Sequence, residues 1–104
     1  MILTTTHTIP NREIESILGV ARGSTVRTRN IGNDIMASLK NIVGGEIEEY
    51  TKLQAQSRKQ AMQRMKKKKK KMGADAIVGI LITTSMVMQG ASEILAYGTA
   101  VKLK

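Results

Sequence analysis

The chain has 104 residues and a formal net charge of +9, and its composition excludes several classes of protein. It contains no Cys, so disulfides, thiolate metal sites and nucleophilic thiols are excluded. No apolar stretch approaches the ~20 residues of a membrane-spanning helix, and residues 1–20 lack a basic region followed by an apolar core. We therefore expect one domain, residues 1–104, in the cytoplasm and without contact to a membrane.

The positive charge is confined to one segment. Residues 51–74 hold ten basic and no acidic residues, whereas the remainder of the chain carries a net charge of −1. Charge concentrated in this way indicates a surface that attracts polyanions. The densest part is a run of six lysines: Lys66, Lys67, Lys68, Lys69, Lys70 and Lys71.

The N-terminal quarter of the chain favours two strands. The β-branched side chains of residues 2–6 predict the first strand, and the Pro-Asn pair at 10–11 predicts the turn that follows it. Apolar residues over 14–26 predict the second strand. Within it, Gly19 and Gly23 indicate a bulge or a bend.

Two helices are predicted in the middle of the chain. Asn30 can cap the first, whose apolar residues recur at spacings of three and four up to Val43, before the Gly-Gly pair at 44–45. The second begins at about Glu46 and ends at Gly73, a left-handed cap. At about 40 Å it is longer than one small domain covers, so we expect a partner subunit to cover part of it. Its apolar stripe is thin and interrupted by polar residues, and consists of Ile47, Tyr50, Gln54, Ser57, Ala61, Met65, then Lys68 or Lys69, then Met72.

Two further strands are predicted after Gly73. Residues 76–84 form an apolar and β-branched run, which is typical of a strand buried on both faces. A tight segment at 89–91 leads to the last strand, residues 93–103, whose side chains alternate between two faces. The predicted fold class is α+β in the order strand-strand-helix-helix-strand-strand, with a small antiparallel or mixed sheet packed by two helices.

Three residues near these strands have expected structural roles. Asp75 is placed to accept backbone N–H groups in the turn into the strand, a role that we prefer to a catalytic one. Gly79 and Gly98 indicate close backbone approach between neighbouring strands.

Three stretches together carry a family resemblance. They are Ile42-Val43-Gly44-Gly45 followed by Tyr50, then Gly73-Ala74-Asp75-Ala76-Ile77-Val78-Gly79, then Tyr97-Gly98-Thr99-Ala100-Val101. With residues 2–6 and Asn30-Ile31 they cover most of the chain in order, and the chain resembles the YbjQ-like family of uncharacterised bacterial and archaeal proteins. The resemblance implies a small α+β subunit that assembles into a ring, typically a pentamer. The family has also been described historically as heavy-metal-binding.

The chain departs from that family in two places. The six lysines stand where relatives mix acidic and basic residues, with a small apolar residue at the position of Lys69. Ile80-Leu81-Ile82 stands where relatives usually carry a polar or charged side chain. These departures favour a surface redesigned as a building block of a larger assembly, with a second designed subunit as a further partner. Natural divergence is the alternative.

Residues for catalysis or metal binding are scarce. His7 is the only histidine, and no Ser-His-Asp or paired-carboxylate spacing accompanies it, although Glu13, Glu15 and Asp34 could orient it. Soft and borderline metals prefer clustered Cys and His, which the chain does not supply. We expect no enzymatic activity, no cofactor and no metal site.

The first functional hypothesis is a non-enzymatic homo-oligomeric subunit, pentameric as the resemblance implies. Apolar residues of the strand after Gly73 would pack between subunits. The candidate interface residues are Ile80, Leu81, Ile82, Met86 and Met88. Metal binding, as the family label suggests, is a further hypothesis.

The other alternative is a polyanion- or nucleic-acid-binding module that acts through Lys66–Lys71. Five like-charge pairs at helical spacing within this run each cost about 0.2–0.5 kcal/mol of helix stability, so the run works against the helix except for its favourable interaction with the helix dipole. A solvated surface is an equal alternative. Base stacking and sequence readout are not supported, because neither Tyr50 nor Tyr97 lies in the run.

Overall fold

The structure is a computed structural model, and it describes residues 1–28, 42–43 and 46–104. Side-chain positions are described for residues 1–27 and 51–104. In chain order the elements are β1 (Ile2–Leu3), β2 (Ile14–Thr28), β3 (Ile42–Val43), β4 (Glu46–Ile47), α1 (Glu48–Lys70), β5 (Ala76–Met88) and β6 (Ala91–Leu103).

The main sheet is mixed and has the strand order β1-β5-β6-β2. β1 pairs parallel to β5, whereas β5, β6 and β2 pair antiparallel to one another. β6 is paired on both sides and forms the centre of the sheet. β3 and β4 form a separate two-stranded antiparallel sheet.

The predicted order with two helices between two pairs of strands is wrong. Among the described residues the only helix is α1, and Ile42–Val43 pairs with Glu46–Ile47 as strands, although these residues were assigned to the two predicted helices. β-branched residues on both sides of Gly44-Gly45 are also typical of a hairpin, and apolar spacing over so few residues does not separate the two possibilities. Residues 30–41 of the first predicted helix lie outside the described residues.

β1 is shorter than the strand predicted over residues 2–6. Its backbone pairing with β5 nevertheless continues beyond Leu3. The Thr4 amide donates to the Ile77 carbonyl (3.0 Å), and the Gly79 amide donates to the Thr6 carbonyl (2.8 Å). β5 is therefore covered on this side as far as Ile80, whose amide donates to Thr4 (3.1 Å).

Two local features of the N-terminal region are confirmed. Asn11 has a φ of 64°, and the Arg12 amide donates to the Ile9 carbonyl at 3.2 Å, as expected for a tight turn. The pairing of β2 with β6 shifts register between Ile17 and Gly19, which is the predicted bulge.

α1 packs on β2 and β6 through a narrow stripe of small and flexible residues. Ser57, Ala61 and Met65 are buried at spacings of four, as the apolar stripe predicted. A Cβ atom on Gly23 of β2 would overlap the backbone of α1 at Ala61 and Met65, so glycine permits this close approach. The core on the face covered by α1 contains Ala21, Ala61, Met65, Ala74, Ile77, Ile80, Ile94, Ala96 and Ala100.

No helix within the described ranges is long and apolar enough to cross a membrane.

The C-terminus of α1 confirms the predicted cap at Gly73. Gly73 has a φ of 83°, and its amide donates to the Lys70 carbonyl at 3.1 Å. The Ala74 amide donates to the Lys69 carbonyl at 3.2 Å. These two hydrogen bonds and the left-handed glycine form a Schellman motif, which turns the chain from the helix into β5.

Asp75 has the predicted structural role, but with a different partner. Its carboxylate accepts a hydrogen bond from the Leu103 amide (2.9 Å), and its own amide donates to the Val101 carbonyl (3.0 Å). The carboxylate therefore holds the end of β6 rather than the turn that precedes β5.

Residues on the face of the sheet opposite α1 form a second apolar cluster: Ala76, Val78, Val101 and Leu103, with Ile9 packed against it.

The two strand glycines differ. A Cβ atom on Gly98 would lie 2.8 Å from the Val78 carbonyl oxygen, so the predicted close approach of β6 to β5 is confirmed. Gly79 instead faces the His7 imidazole, whose Nδ1 would lie 3.0 Å from such a Cβ atom. Its φ of 62° accompanies a register shift in β5 between Val78 and Leu81.

Candidate functional site

β5 changes its environment at its midpoint. Residues 76–80 lie between β1 and β6 and are buried or nearly so. Beyond them, residues 81–88 pair with β6 alone, because no other described strand continues on that side. We call residues 81–88 the open edge. The predicted burial on both faces is correct for residues 76–78 and wrong for residues 81–84, which are exposed and belong to neither apolar cluster.

The open edge is apolar and uncharged. Leu81 is 58% exposed and Met86 is 76% exposed, and β5 as a whole contains no charged residue. Exposed edge strands usually carry lysines, prolines or inward-pointing charges that prevent pairing with another chain. The open edge has none of these, so it presents backbone donors and acceptors together with exposed apolar side chains.

Four of the five predicted interface residues lie on the open edge, namely Leu81, Ile82, Met86 and Met88. The fifth, Ile80, is only 4% exposed and belongs to the core cluster that includes Ala61 and Met65 of α1. Val87 is exposed between the methionines and was not predicted. Its aliphatic side chain, in a strand without charged residues, could have identified it as an interface candidate.

An apolar hollow of about 390 Å³ adjoins the open edge on the side of α1. It extends the exposed apolar surface from the strand edge toward β1 and the helix. The residues that line it are Leu3, Thr4, Thr5, Met62, Ile80, Leu81 and Ile82.

The six lysines do not form one uniform surface. Lys67, Lys68 and Lys71 line a groove of about 390 Å³ together with Arg64 and residues 23–24 of β2. Lys68 and Lys69 line an adjacent hollow of about 430 Å³ together with Val20 and Arg22. Lys66 and Lys70 line neither. The structure thus separates four of the predicted lysines from the other two.

Two arginines join the basic surface that were not among the predicted site residues. Arg64 donates from Nη1 to the backbone carbonyl of Ser24 (2.7 Å), which ties the helix side chain to β2. Arg22 projects from β2 into the adjacent hollow. The spacing 64-67-68-71 was the available signal for Arg64, because these positions share one face of a helix. Arg22 had no comparable local signal.

The residues considered for catalysis remain apart. His7 lies against Gly79, and Glu13 forms an exposed ion pair with Lys104 at 3.3 Å. In the ranges 1–28, 42–43 and 46–104, no three His, Cys, Asp or Glu residues are close enough together to hold a metal ion. Asp34 lies outside the described residues.

The whole chain, residues 1–104, matches a protein-family model described as "Putative heavy-metal-binding". It is 58% identical over 104 residues to a UPF0145 protein of Archaeoglobus fulgidus, which covers 100% of this chain and 96% of the relative. A UPF0145 protein of Psychromonas ingrahamii is 55% identical over 104 residues, with 100% and 99% covered. One of Methanosarcina acetivorans is 53% identical over 103 residues, with 99% and 97% covered.

A solved structure has a related fold. The crystal structure of a protein of unknown function from Pediococcus pentosaceus superimposes with a TM-score of 0.66 and covers 100% of this chain and 98% of its own. Its sequence identity is 19%, so the likeness concerns the fold alone.

Proposed function

This chain belongs to the YbjQ-like family, as its sequence resemblance predicted, and we propose that it works as a non-enzymatic subunit of a homo-oligomeric ring. The observation that carries the proposal is the open edge of β5. The occupant that we propose for this edge is a second copy of the same chain. The ring size that we adopt is the pentamer implied by the family resemblance.

An uncharged edge of eight residues is a liability for an isolated subunit. Its N–H and C=O groups that pair with no described strand can pair with any extended chain, and its apolar side chains add a driving force for association. Specific burial by another copy satisfies these groups and removes the hazard. The adjacent hollow lined by Leu81 and Ile82 provides a place for a partner's side chain.

The shape of the subunit supports the same proposal. The radius of gyration is 17.0 Å, whereas a compact domain of this length has a value of about 13 Å. The molecule measures 53 × 27 × 17 Å, so one dimension is about three times the smallest. A subunit this elongated buries less of its own surface than a compact one, and assembly compensates for this.

Apolar surface at the opposite sheet edge favours a ring over a dimer. β2 forms that edge, and its Ile14 and Ile17 are exposed. Two different apolar surfaces on one subunit permit head-to-tail contacts, which close into a ring when the rotation between subunits is suitable. Pairing of β5 with β5 would instead give an isologous dimer.

The metal binding named in the family description has no support from the described side chains. His7, Glu13, Glu15, Asp75 and Glu93 do not form a cluster of three or more. Soft or borderline metals require such a set of donors, so we derive no step that involves a metal. Redesign as a building block of a larger assembly stays a prediction from the sequence.

The proposal is tested by placing a charge on the open edge. Met86→Lys puts an ammonium group where a second copy would bury it, and burial of an unpaired charge costs several kcal/mol. Met72→Lys is the matched control, because Met72 is also exposed (56%) and the change in charge is the same, but it lies beyond the end of α1. Light scattering coupled to size exclusion gives the mass of each protein.

We expect the unmodified protein and Met72→Lys to have the mass of a ring, a multiple of the 11.4 kDa chain. Met86→Lys is expected to have the mass of the monomer, with or without the addition of Leu81→Lys. A monomeric unmodified protein at micromolar concentration would overturn the proposal. A dimeric mass for the unmodified protein would overturn the proposal of a ring.

A further inference from the structure

The two basic hollows beside α1 adjoin each other at Lys68. Lys68 lines both, and Arg64 and Lys71 are seven residues apart, which corresponds to about 10 Å along a helix. β2 forms the other wall. We call this surface the basic groove; its cationic residues are Arg22, Arg64, Lys67, Lys68, Lys69 and Lys71.

The charge of the basic groove is not neutralised within the described part of the chain. None of the described residues that line the two hollows is acidic, and none of the six cations forms an ion pair with a described carboxylate. Like charges at helical spacing destabilise the helix, whereas the lysines in its last turn interact favourably with the helix dipole. Their shared orientation toward β2 concentrates positive potential in a concave surface.

One cation is fixed in place. The hydrogen bond from Arg64 Nη1 to the Ser24 carbonyl holds the guanidinium against β2 and uses one of its five N–H donors. The remaining donors are free to bind an anion. The lysines around it are flexible point charges, which bind phosphate without a fixed geometry.

From this arrangement we propose that the basic groove binds a linear chain of phosphates. Inorganic polyphosphate and the backbone of a nucleic acid share this chemistry. Recognition of bases is not part of the proposal, because none of the described side chains that line the groove is aromatic and stacking requires an aromatic ring. An acidic peptide is disfavoured, because Val20 is the only large apolar side chain among the described lining residues and peptides are usually anchored by such residues.

The test compares two triple variants that remove the same charge from the same helix. Lys67→Gln/Lys68→Gln/Lys71→Gln removes three cations of the groove. Lys59→Gln/Lys66→Gln/Lys70→Gln is the control, because these three share a different face of α1 and line neither hollow. Glutamine and lysine have similar helix propensity, so both variants are expected to fold, which circular dichroism checks.

The probes are a fluorescent single-stranded oligothymidine and inorganic polyphosphate, with poly-glutamate as a carboxylate polyanion. Each lost phosphate contact removes about 0.7 from the slope of log Kobs against log salt, so loss of three contacts weakens oligothymidine binding about 50-fold at 0.15 M salt. We expect this loss in the groove variant and less than about a 5-fold loss in the control, whose cations act only at longer range.

Equal losses in the two variants would overturn the proposal, because the charge would then act without the groove. If poly-glutamate bound as tightly as oligothymidine and polyphosphate, the assignment of the groove to phosphate would be overturned. If both oligothymidine and polyphosphate bind, the groove recognises a chain of phosphates from either source. If oligothymidine alone binds, the ligand is the backbone of a nucleic acid. The same titration on the Met86→Lys protein separates this inference from the proposed ring, because the groove lies within one subunit.

Discussion

The two halves of β5 are both uncharged but differ in environment. Residues 76–80 are covered by β1 on one side; Ile77 and Ile80 belong to the core cluster that includes residues of α1, and Ala76 and Val78 belong to the second apolar cluster. The open edge, residues 81–88, is also uncharged, but it combines five apolar residues with Thr83, Thr84 and Ser85, and its side chains are exposed. The two halves therefore differ in what covers them as well as in their share of hydroxyl side chains.

We infer from this difference that one strand serves two purposes. The inner half stabilises the subunit, and in our proposal the outer half joins subunits. Substitutions in the two halves should therefore change different quantities. Inner-half changes should alter the free energy of unfolding of the subunit, and outer-half changes should alter the mass of the assembly.

The largest effect on stability is expected from Ile77→Ala. Ile77 is fully buried, and truncation of a buried isoleucine costs about 2–5 kcal/mol. The measurement is denaturant unfolding in the Met86→Lys background, where dissociation does not contribute. The matched change Leu81→Ala should cost less than about 1 kcal/mol there. Equal costs in the two halves would break the comparison.

A smaller loss is expected from Gly98→Ala, which tests the close packing of β6 on the inner half. The added Cβ atom would lie 2.8 Å from the Val78 carbonyl oxygen and near the side chains of Ile77 and Ile80. Overpacking of this kind costs about 1–3 kcal/mol. Thermal unfolding of the same monomeric background measures it. An unchanged melting temperature would show that β5 and β6 can separate without cost.

The smallest effect is expected from Asp75→Ala, at about 1 kcal/mol. The variant loses the hydrogen bond that the carboxylate accepts from the Leu103 amide, at the end of β6 beside the inner half. Glu13→Gln is the control, since its ion pair with Lys104 is exposed and should contribute little. Equal losses from both substitutions would mean that Asp75 has no specific role.

Local signals in the sequence predicted the features that depend on a few neighbouring residues. The turn at Asn11, the bulge before Gly19 and the cap at Gly73 all follow from conformations that these residue types favour. The three long strands follow from apolar and β-branched runs. The error at residues 42–47 arose because a short β-branched segment fits either a strand or a helix.

The candidate site was less predictable, because it depends on distant pairing. Ile80 was predicted to face a partner, but β1 extends far enough to bury it, and only the register of the sheet decides where that cover ends. The basic groove requires α1 to pack on a strand 40 residues away, as the hydrogen bond from Arg64 to Ser24 shows. Composition predicted the charge of this surface but not its shape.

The most direct test of the central claim is hydrogen–deuterium exchange of the amides in residues 81–88. Amides of an open edge that face away from β6 exchange quickly in a lone subunit and slowly when another copy pairs with them. We predict slow exchange for the unmodified protein and fast exchange for Met86→Lys, with the amides of residues 76–80 protected in both. Fast exchange of residues 81–88 in the unmodified protein at micromolar concentration would contradict the account.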